Sequence, residues 1–341
     1  MFLKELSELH GVSGDETRVR NFIREKLMEM GIKNFTDSMG NLFAVKEGQR
    51  GTRDLGLMIS AHMDEVGLMV SSVEKSGHLR FYKVGGIEEK SLVSKPVRIG
   101  RDAVHGVIGA KAIHLQKSGE RKKALTIDEL YIDIGAKNKE EAEKAVKPGD
   151  FVSFATEAET WGDIFKGKAL DDRAGCAALL ELLGKDTACG FTAAFTVQEE
   201  VGARGARAAA FRIDPQMALI IETTLAVDVV DIKKHDQSTV LGQGPAFTLQ
   251  DESVIAHPRL LERLIEVAGE TGKPYQFRRY AGNFTDAGAV SRSRGGVMTG
   301  VISTPCRYIH TPASLINLGD LNGLIEITEG FIRSVAEKGL V

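Results

Sequence analysis

Carboxylates and histidines close the apolar runs of this chain, and a sequence that buries charge at strand ends has few ways to fold. His62 and Asp64 end LGLMISAHMD, Asp171-Asp172 follow GKAL, and Glu199-Glu200 end FTAAFTVQEE. Glu222 ends MALIIE, and His310 closes CRYIH. Carboxylates gathered in an apolar interior repel one another unless cations balance them. A metal centre with an acid/base carboxylate beside it accounts for the pattern.

The runs themselves set the architecture. At 341 residues the chain is long for one core, which favours two domains. Residues 55–61, 192–197 and 217–221 are near-continuous apolar stretches, as strands covered on both faces should be. Helical periodicity follows at 174–183, 252–272 and 320–337. The opening MFLKELSELHG reads as an amphipathic helix, and Ser13-Gly14-Asp15-Glu16 has the form of a capping box before a helix that Gly31 stops. Residues 34–47 read as a hairpin turning near Ser38-Met39-Gly40. Between 68 and 160 the texture changes to short runs broken by glycine and charge, with one short helix near 139–146. The expectation is a mixed-sheet α/β/α domain built from 1–67 and 161–341, interrupted by a small β-rich insertion at 68–160.

Composition removes several classes. A net charge of −3 offers no basic footprint for nucleic acid. No uncharged run is long enough to span a bilayer. The first residues carry charge through their apolar part, unlike a signal peptide. Cys176, Cys189 and Cys306 are an odd number in apolar contexts, which reads as reduced thiols and a cytoplasmic address.

Each motif has a plain alternative. His62-Met63-Asp64 is an H-x-D in which residues i and i+2 share a strand face, so Asp64 can orient the ring of a ligating His62. A lone histidine there is as often a satisfied core residue. Asp171-Asp172 can cap a helix, but two adjacent aspartates exceed what a cap needs. Glu199-Glu200 is the sharpest signal, because a glutamate pair rarely closes a buried strand. One can ligate while its neighbour moves the proton of an activated water. Glu222 repeats the pattern on the next strand, with a loop or cap acid as the plain reading. His310 is informative only through its place in the order. His10, His78, His105, His114, His235 and His257 have no ligand-like context.

The order H-x-D, DD, EE, E, H resembles the M42 family of metallopeptidases. The matching segments are SAHMDEVG at 60–67, GKALDDRAGC at 167–176, VQEEVGARGA at 197–206, TDAGA at 285–289 and CRYIHTP at 306–312. The resemblance implies removal of amino-terminal residues from peptides by two divalent ions, zinc or cobalt. It implies His62, Asp171, Glu200, Glu222 and His310 as metal ligands, with Asp171 bridging. Glu199 would be the catalytic acid/base and Asp64 the residue orienting His62. It also implies a cis peptide bond between Asp171 and Asp172. The β-rich insertion would make dimers, and the dimers would assemble into a dodecamer. The family usually carries Asp where this chain has Glu222, and the segment GGIEEKSLVSKPVRI departs from its usual sequence.

Three rivals remain at this level. A dinuclear deacylase of N-acyl amino acids would use the same donors. A glycoside hydrolase would need paired carboxylates but no histidines. A silent oligomeric scaffold would not need the intact set. Arg278, Arg292 and Arg294 are candidates for choosing an acidic first residue, against the usual fate of arginine as solvated surface.

Overall fold

Alternation along the strand Asp54–His62 decides the layers. Leu57, Ile59 and Ala61 enter a core shared with the helices Leu3–Glu8, Thr17–Glu29, Leu170–Gly184, Pro258–Thr271 and Leu318–Lys338. Met58 points the other way, into a core built with Ala206, Ala209 and Ala210 of Arg204–Ile213 and Ala287 and Val290 of Asp286–Ser291. Side chains alternate across a strand, so a run that is apolar at both parities needs a layer on each face. The result is helix, sheet, helix. This is a computed structural model describing residues 2–48, 54–119 and 122–339.

Four strands make the parallel centre of the large mixed sheet, in the spatial order Gly190–Thr196, Asp54–His62, Met217–Leu225, Met298–Arg307. The hairpin Asn34–Thr36 and Leu42–Lys46 extends one side antiparallel, as its sequence suggests. Ser314–Asn317, Ile164–Gly167 and Glu159–Trp161 extend the other. Register brings the functional ends level. Thr196 pairs with His62 and Ser60 with Ile220, so Glu222, two residues on and still paired with Ser303, stands at the height of His62.

The β-rich stretch closes on itself. Gly67–Val73, Leu79–Val84, Leu130–Asp133, Val104–Ala110, Pro96–Ile99 and Phe151–Phe154 form a six-stranded barrel. Its own core includes Leu68, Val70, Leu79, Phe81, Val97, Ile99, Ile108, Ile132, Val152 and Phe154. Closure pairs Leu68 with Val152 and leaves no open edge to the sheet. Glu159 and Thr160, placed in the insertion on texture, lie with Trp161 in a strand that pairs with Ile164–Gly167 in the large sheet.

Three local expectations change. Glu16 caps no helix with its side chain; its carboxylate accepts the Gly14 N–H at 2.6 Å, and Ser13 Oγ donates to Asp64 at 2.6 Å. A buried carboxylate is a strong acceptor, and it draws the Ser13 hydroxyl to itself and away from the helix terminus, whose N–H groups a capping serine would have accepted. The helix expected from 252 begins at Pro258, because proline at the first turn sets its start and Asp251 ties Ser253 and Val254 into a turn before it. Gly272, at φ +66°, ends that helix as expected. The short helix of the insertion spans only Lys139–Ala142, capped by Asn138.

Candidate metal centre and active site

The sheet delivers its charged residues to one place. His62, Glu199 and Glu200 follow the carboxyl ends of neighbouring parallel strands, Glu222 lies near the end of a third, and His310 follows the fourth. Open α/β sheets present functional groups at this edge because the chain leaves each strand there. Asp171 and Asp172 come from the start of Leu170–Gly184, where the backbone is non-helical and the bond between them is cis, as expected. Ala169, Gln198, Ala203, Tyr308 and His310 all have φ between 51° and 60°. Left-handed backbone at non-glycine residues collects where side chains must be aimed.

Asp171 lies between two imidazoles. Its Oδ1 is 3.2 Å from His62 Nε2, and its Oδ2 is 3.3 Å from His310 Nε2. Each imidazole faces a further glutamate: Glu222 Oε2 lies 3.6 Å from His62 Nε2, and Glu200 Oε2 lies 3.1 Å from His310 Nε2. The far oxygens Glu200 Oε1 and Glu222 Oε1 are buried without a hydrogen-bond partner among the described residues. Tetrahedral ligands of one zinc at about 2.0–2.2 Å stand roughly 3.3–3.6 Å from each other. The donors therefore have the spacing and chemistry of two cation half-sites that share Asp171. His62, Asp172 and Glu222 also lie close enough to share an ion. Asp172 Oδ1, however, accepts the Gly175 N–H at 3.0 Å.

Electrostatics point to missing positive charge. Burial, reinforced by neighbouring carboxylates, raises Glu199 and Glu222 well above the usual range, and Glu200 is pushed up to about 8. Burial works against a charged ring at His310, yet Glu200 and Asp171 outweigh it and lift it to about 9. Burial likewise opposes the charge of Asp171, but His310 and His62 hold it well below the ordinary carboxylate value. A divalent cation would bring every one of these carboxylates back to its charged form.

Around the donors stands a second set of bonds. The ring N–H of His62 at Nδ1 is 3.1 Å from the Asp64 carbonyl, which leaves Nε2 for the centre. The Asp64 carboxylate is 3.5 Å from His62 Nδ1 and is otherwise engaged: it accepts the Glu199 N–H at 3.0 Å, the Glu200 N–H at 3.1 Å and the Ser13 hydroxyl. Its main partners are thus the backbone of the glutamate pair, not the imidazole. Beneath lies a buried ion group. Lys168 Nζ is 2.7 Å from Glu65, and Arg173 Nε donates to the Met63 carbonyl while Nη1 reaches Leu6 O and Leu9 O. It fastens the amino-terminal helix to the strand end that carries His62.

Sequence reasoning passed over Asp286, although TDAGA was among the matching segments. It is buried, accepts Thr196 Oγ1 at 2.6 Å, and is pushed up to about 6, mainly by burial. Of the three arginines, Arg278 lines the cavity above the centre. Arg292 and Arg294 line a different cleft with Arg204, Arg207 and Phe211, where Arg294 stacks over the Phe211 ring at 4.0 Å. None of the six histidines set aside lines the central cavity.

A parallel-centred sheet with clustered histidines and carboxylates at its carboxyl edge fits the class of metal-dependent hydrolases. The particular family follows from comparison: residues 40–327 match the model of the M42 glutamyl aminopeptidase family. The lysyl aminopeptidase of Pyrococcus furiosus is 31% identical over 98% of this chain and 96% of its own. An aminopeptidase from Desulfurococcus kamchatkensis superposes with a TM-score of 0.92 at 36% identity, covering 98% of this chain and 94% of its own. The Pyrococcus horikoshii TET1 peptidase, which assembles into a tetrahedron or a large octahedral shell, superposes at 0.84 with 32% identity, covering 97% and 98%. The chain belongs to the M42 peptidase family and is a metal-binding peptide hydrolase.

Proposed function

We propose that the chain is an aminopeptidase that uses two divalent ions, zinc or cobalt, and that Glu199 is its general base and acid. The observation that carries the reading is the division of Asp171 between two imidazoles, each with its own glutamate. On this reading His62 and Glu222 would hold one ion and His310 and Glu200 the other, with Asp171 within reach of both. Two such ions supply Lewis acidity for the scissile carbonyl and an acidified water.

The protein's own part is positioning and proton transfer. Glu199 lines the cavity beside the ligands, buried among their charges. It takes the proton of the attacking water and returns it to the leaving amine. The Asp64 carboxylate fixes the backbone of Glu199 and Glu200, so base and ligand keep their separation. A cavity of about 290 Å³ admits the end of a chain and little more, which fits removal of single terminal residues.

We extend the proposal to assembly. The closed barrel carries exposed Tyr82, Val107, Ile113 and Leu115, apolar area suited to a contact between copies. The barrel is proposed as the dimer contact on that apolar area, and a dodecamer follows the likeness to PhTET1-12s, solved as a dodecamer. Three buried free cysteines fit a cytoplasmic, reducing setting. No helix among the described residues is long and apolar enough to cross a membrane.

The deciding experiment pairs metal analysis with a substrate panel. Aminoacyl-p-nitroanilides, peptides with blocked amino termini and N-acetyl amino acids are assayed with zinc, cobalt and a chelator. Two ions per chain, chelator-sensitive cleavage of free amino termini and no action on blocked ones are expected. Faster cleavage of N-acetyl amino acids would make the deacylase reading correct, and activity that resists chelation would remove the metal mechanism. Light scattering on the metal-loaded protein tests assembly, and a monomer at micromolar concentration rules it out.

A further inference from the structure

Four arginines gather around one cleft of a chain whose net charge is −3. The helix Arg204–Ile213 turns Ala206, Ala209 and Ala210 into the core. Another of its faces carries Arg204, Arg207 and Phe211, at the i, i+3, i+7 spacing of one side of a helix. Arg292 and Arg294, just past the helix Asp286–Ser291, line the same hollow. The cleft holds about 860 Å³, and among the described residues no carboxylate lines it.

The four are not equally engaged. Arg294 is fixed: its Nε and Nη2 donate to the Phe211 carbonyl at 2.8 and 2.6 Å, Asp214 lies 3.3 Å from Nε, and the guanidinium stacks over the Phe211 ring. Arg292 Nη1 donates to the Ser253 carbonyl at 3.0 Å. The guanidinium groups of Arg204 and Arg207 are exposed and meet no hydrogen-bond or ion-pair partner among the described residues. Like charges on one helix face repel each other. A single arginine is ordinarily solvated surface, but four around one hollow without an acid make a local field that draws anions.

The cleft adjoins the candidate active site. Gly202 lines it, and the Gly202 and Ala203 N–H groups donate to the Glu199 carbonyl at 2.8 and 2.9 Å. A second shared wall is the turn at Glu252-Ser253, where Glu252 lines the central cavity and the Ser253 carbonyl holds Arg292. Thr285 in the cavity and Arg292 in the cleft bracket the helix Asp286–Ser291. A helix of that length rises roughly 9 Å, which an extended peptide covers in about three residues.

We propose that this cleft docks an acidic stretch of the peptide substrate about three to six residues beyond the scissile bond, with Arg204 and Arg207 as the pairing residues. The inference rests on the aminopeptidase reading, which puts the free amino terminus over the carboxylate floor and sends the rest of the chain across the rim. It concerns that downstream chain and leaves the first residue open. Each guanidinium can take a carboxylate through two parallel N–H bonds. A phosphate polyanion would meet the same forks. The peptide is favoured because its amino terminus, held next door, keeps its acidic residues at high effective concentration beside the cleft.

The test follows initial release of leucine from peptides Leu-Ala-Ala-X-X-X-X-Ala in which X is Glu, Gln or Lys. In the metal-loaded wild type the Glu peptide should exceed the Gln peptide by about 5- to 10-fold in kcat/KM, chiefly through KM, with the Lys peptide slowest. The preference should shrink to within about 2-fold at about 0.5 M salt. The double variant Arg204→Ala/Arg207→Ala should bring the Glu peptide to within about 2-fold of the Gln peptide, and leave Leu-p-nitroanilide, too short to reach the cleft, within about 3-fold of wild type. Equal rates on Glu and Gln peptides in the wild type overturn the proposal. So does a double variant that keeps the preference, or one that slows the anilide as much as the acidic peptide. Fluorescence anisotropy with an acetylated, fluorescein-labelled Ala-Ala-Glu-Glu-Glu-Glu-Ala gives a readout free of turnover. Binding to the wild type that the double variant weakens by about 10-fold or more supports the acidic dock, and equal binding to both removes it. Tighter binding of polyphosphate of matched charge, displacing the peptide, would make the cleft a phosphate site and overturn the proposal. If no peptide is cleaved, the aminopeptidase reading fails by itself, and the anisotropy still decides the cleft.

Discussion

The Asp64 carboxylate holds Glu199 by the backbone, its Oδ1 accepting the Glu199 N–H at 3.0 Å while Oδ2 accepts the next N–H, that of Glu200, at 3.1 Å. One buried carboxylate thus sets two glutamates to which the mechanism assigns different tasks. Asp64 itself is held by Ser13 Oγ, so the loop before the first long helix reaches the centre.

Asp64→Asn should therefore disturb both glutamates. An amide presents one acceptor oxygen and one donor, so one of the two N–H groups loses its partner. The expected cost is about 1–3 kcal/mol of stability, with a drop in kcat larger than the rise in KM. Ser13→Ala removes a single bond and should be milder. Thermal melts and steady-state kinetics on the pair check the ranking, and equal effects would contradict it.

Glu199→Gln should separate proton transfer from metal retention. The amide keeps the volume and cannot take a proton. Two ions per chain should remain, with kcat lower by roughly 10²–10⁴-fold. Near-native turnover in this variant would remove Glu199 from the role.

Glu222 is where the chain leaves the usual family residue. Glu222→Ala should release one ion preferentially, because His310, Glu200 and Asp171 still make a half-site for the other. Activity should fall and return in part with added metal. Glu222→Asp, the residue the family usually carries, should be milder. Two tightly held ions in Glu222→Ala, counted by plasma emission, would show that Glu222 is not a ligand.

Glu16 makes a pH-dependent contribution. Burial, and to a lesser degree the charge of Asp64, raises its pKa from 4.5 to about 6. Between those values the folded chain binds more protons than the unfolded one, so this group's contribution falls as pH rises and its full penalty applies above about 6. Glu16→Gln keeps an acceptor for Gly14 N–H and removes the charge. It should stabilise the protein by about 1–2 kcal/mol at pH 7.5 and by little at pH 4. Urea midpoints at the two pH values test this, and a gain of the same size at both would refute it.

Much of this was legible beforehand, for a local reason. His62, Glu199, Glu200 and Glu222 each interrupt an apolar run, and a charge there is visible without a structure because burial of the run is itself visible. The short period of the strands gave the layers, and glycine-broken texture marked the barrel. Asp286 was not legible as part of the site, and Arg278 stood only as one of three candidate arginines, because each lies in a polar neighbourhood where a charge is ordinary. Ser13 was misread as a cap because the sequence shows only near neighbours, and its partner Asp64 is 51 residues away.

The sequence by itself determined which residues carry charge into the interior and at which strand ends, since hydrophobic periodicity and motif spacing are properties of the chain alone. Only the tertiary structure decided how they combine. Parallel register sets His62 beside Glu222, the turn after Arg307 sets His310 beside Glu200, and Asp171 reaches both imidazoles from a helix that neither strand adjoins in sequence. Those pairings depend on strand order and on the crossing of helix over sheet, which no stretch of local pattern encodes.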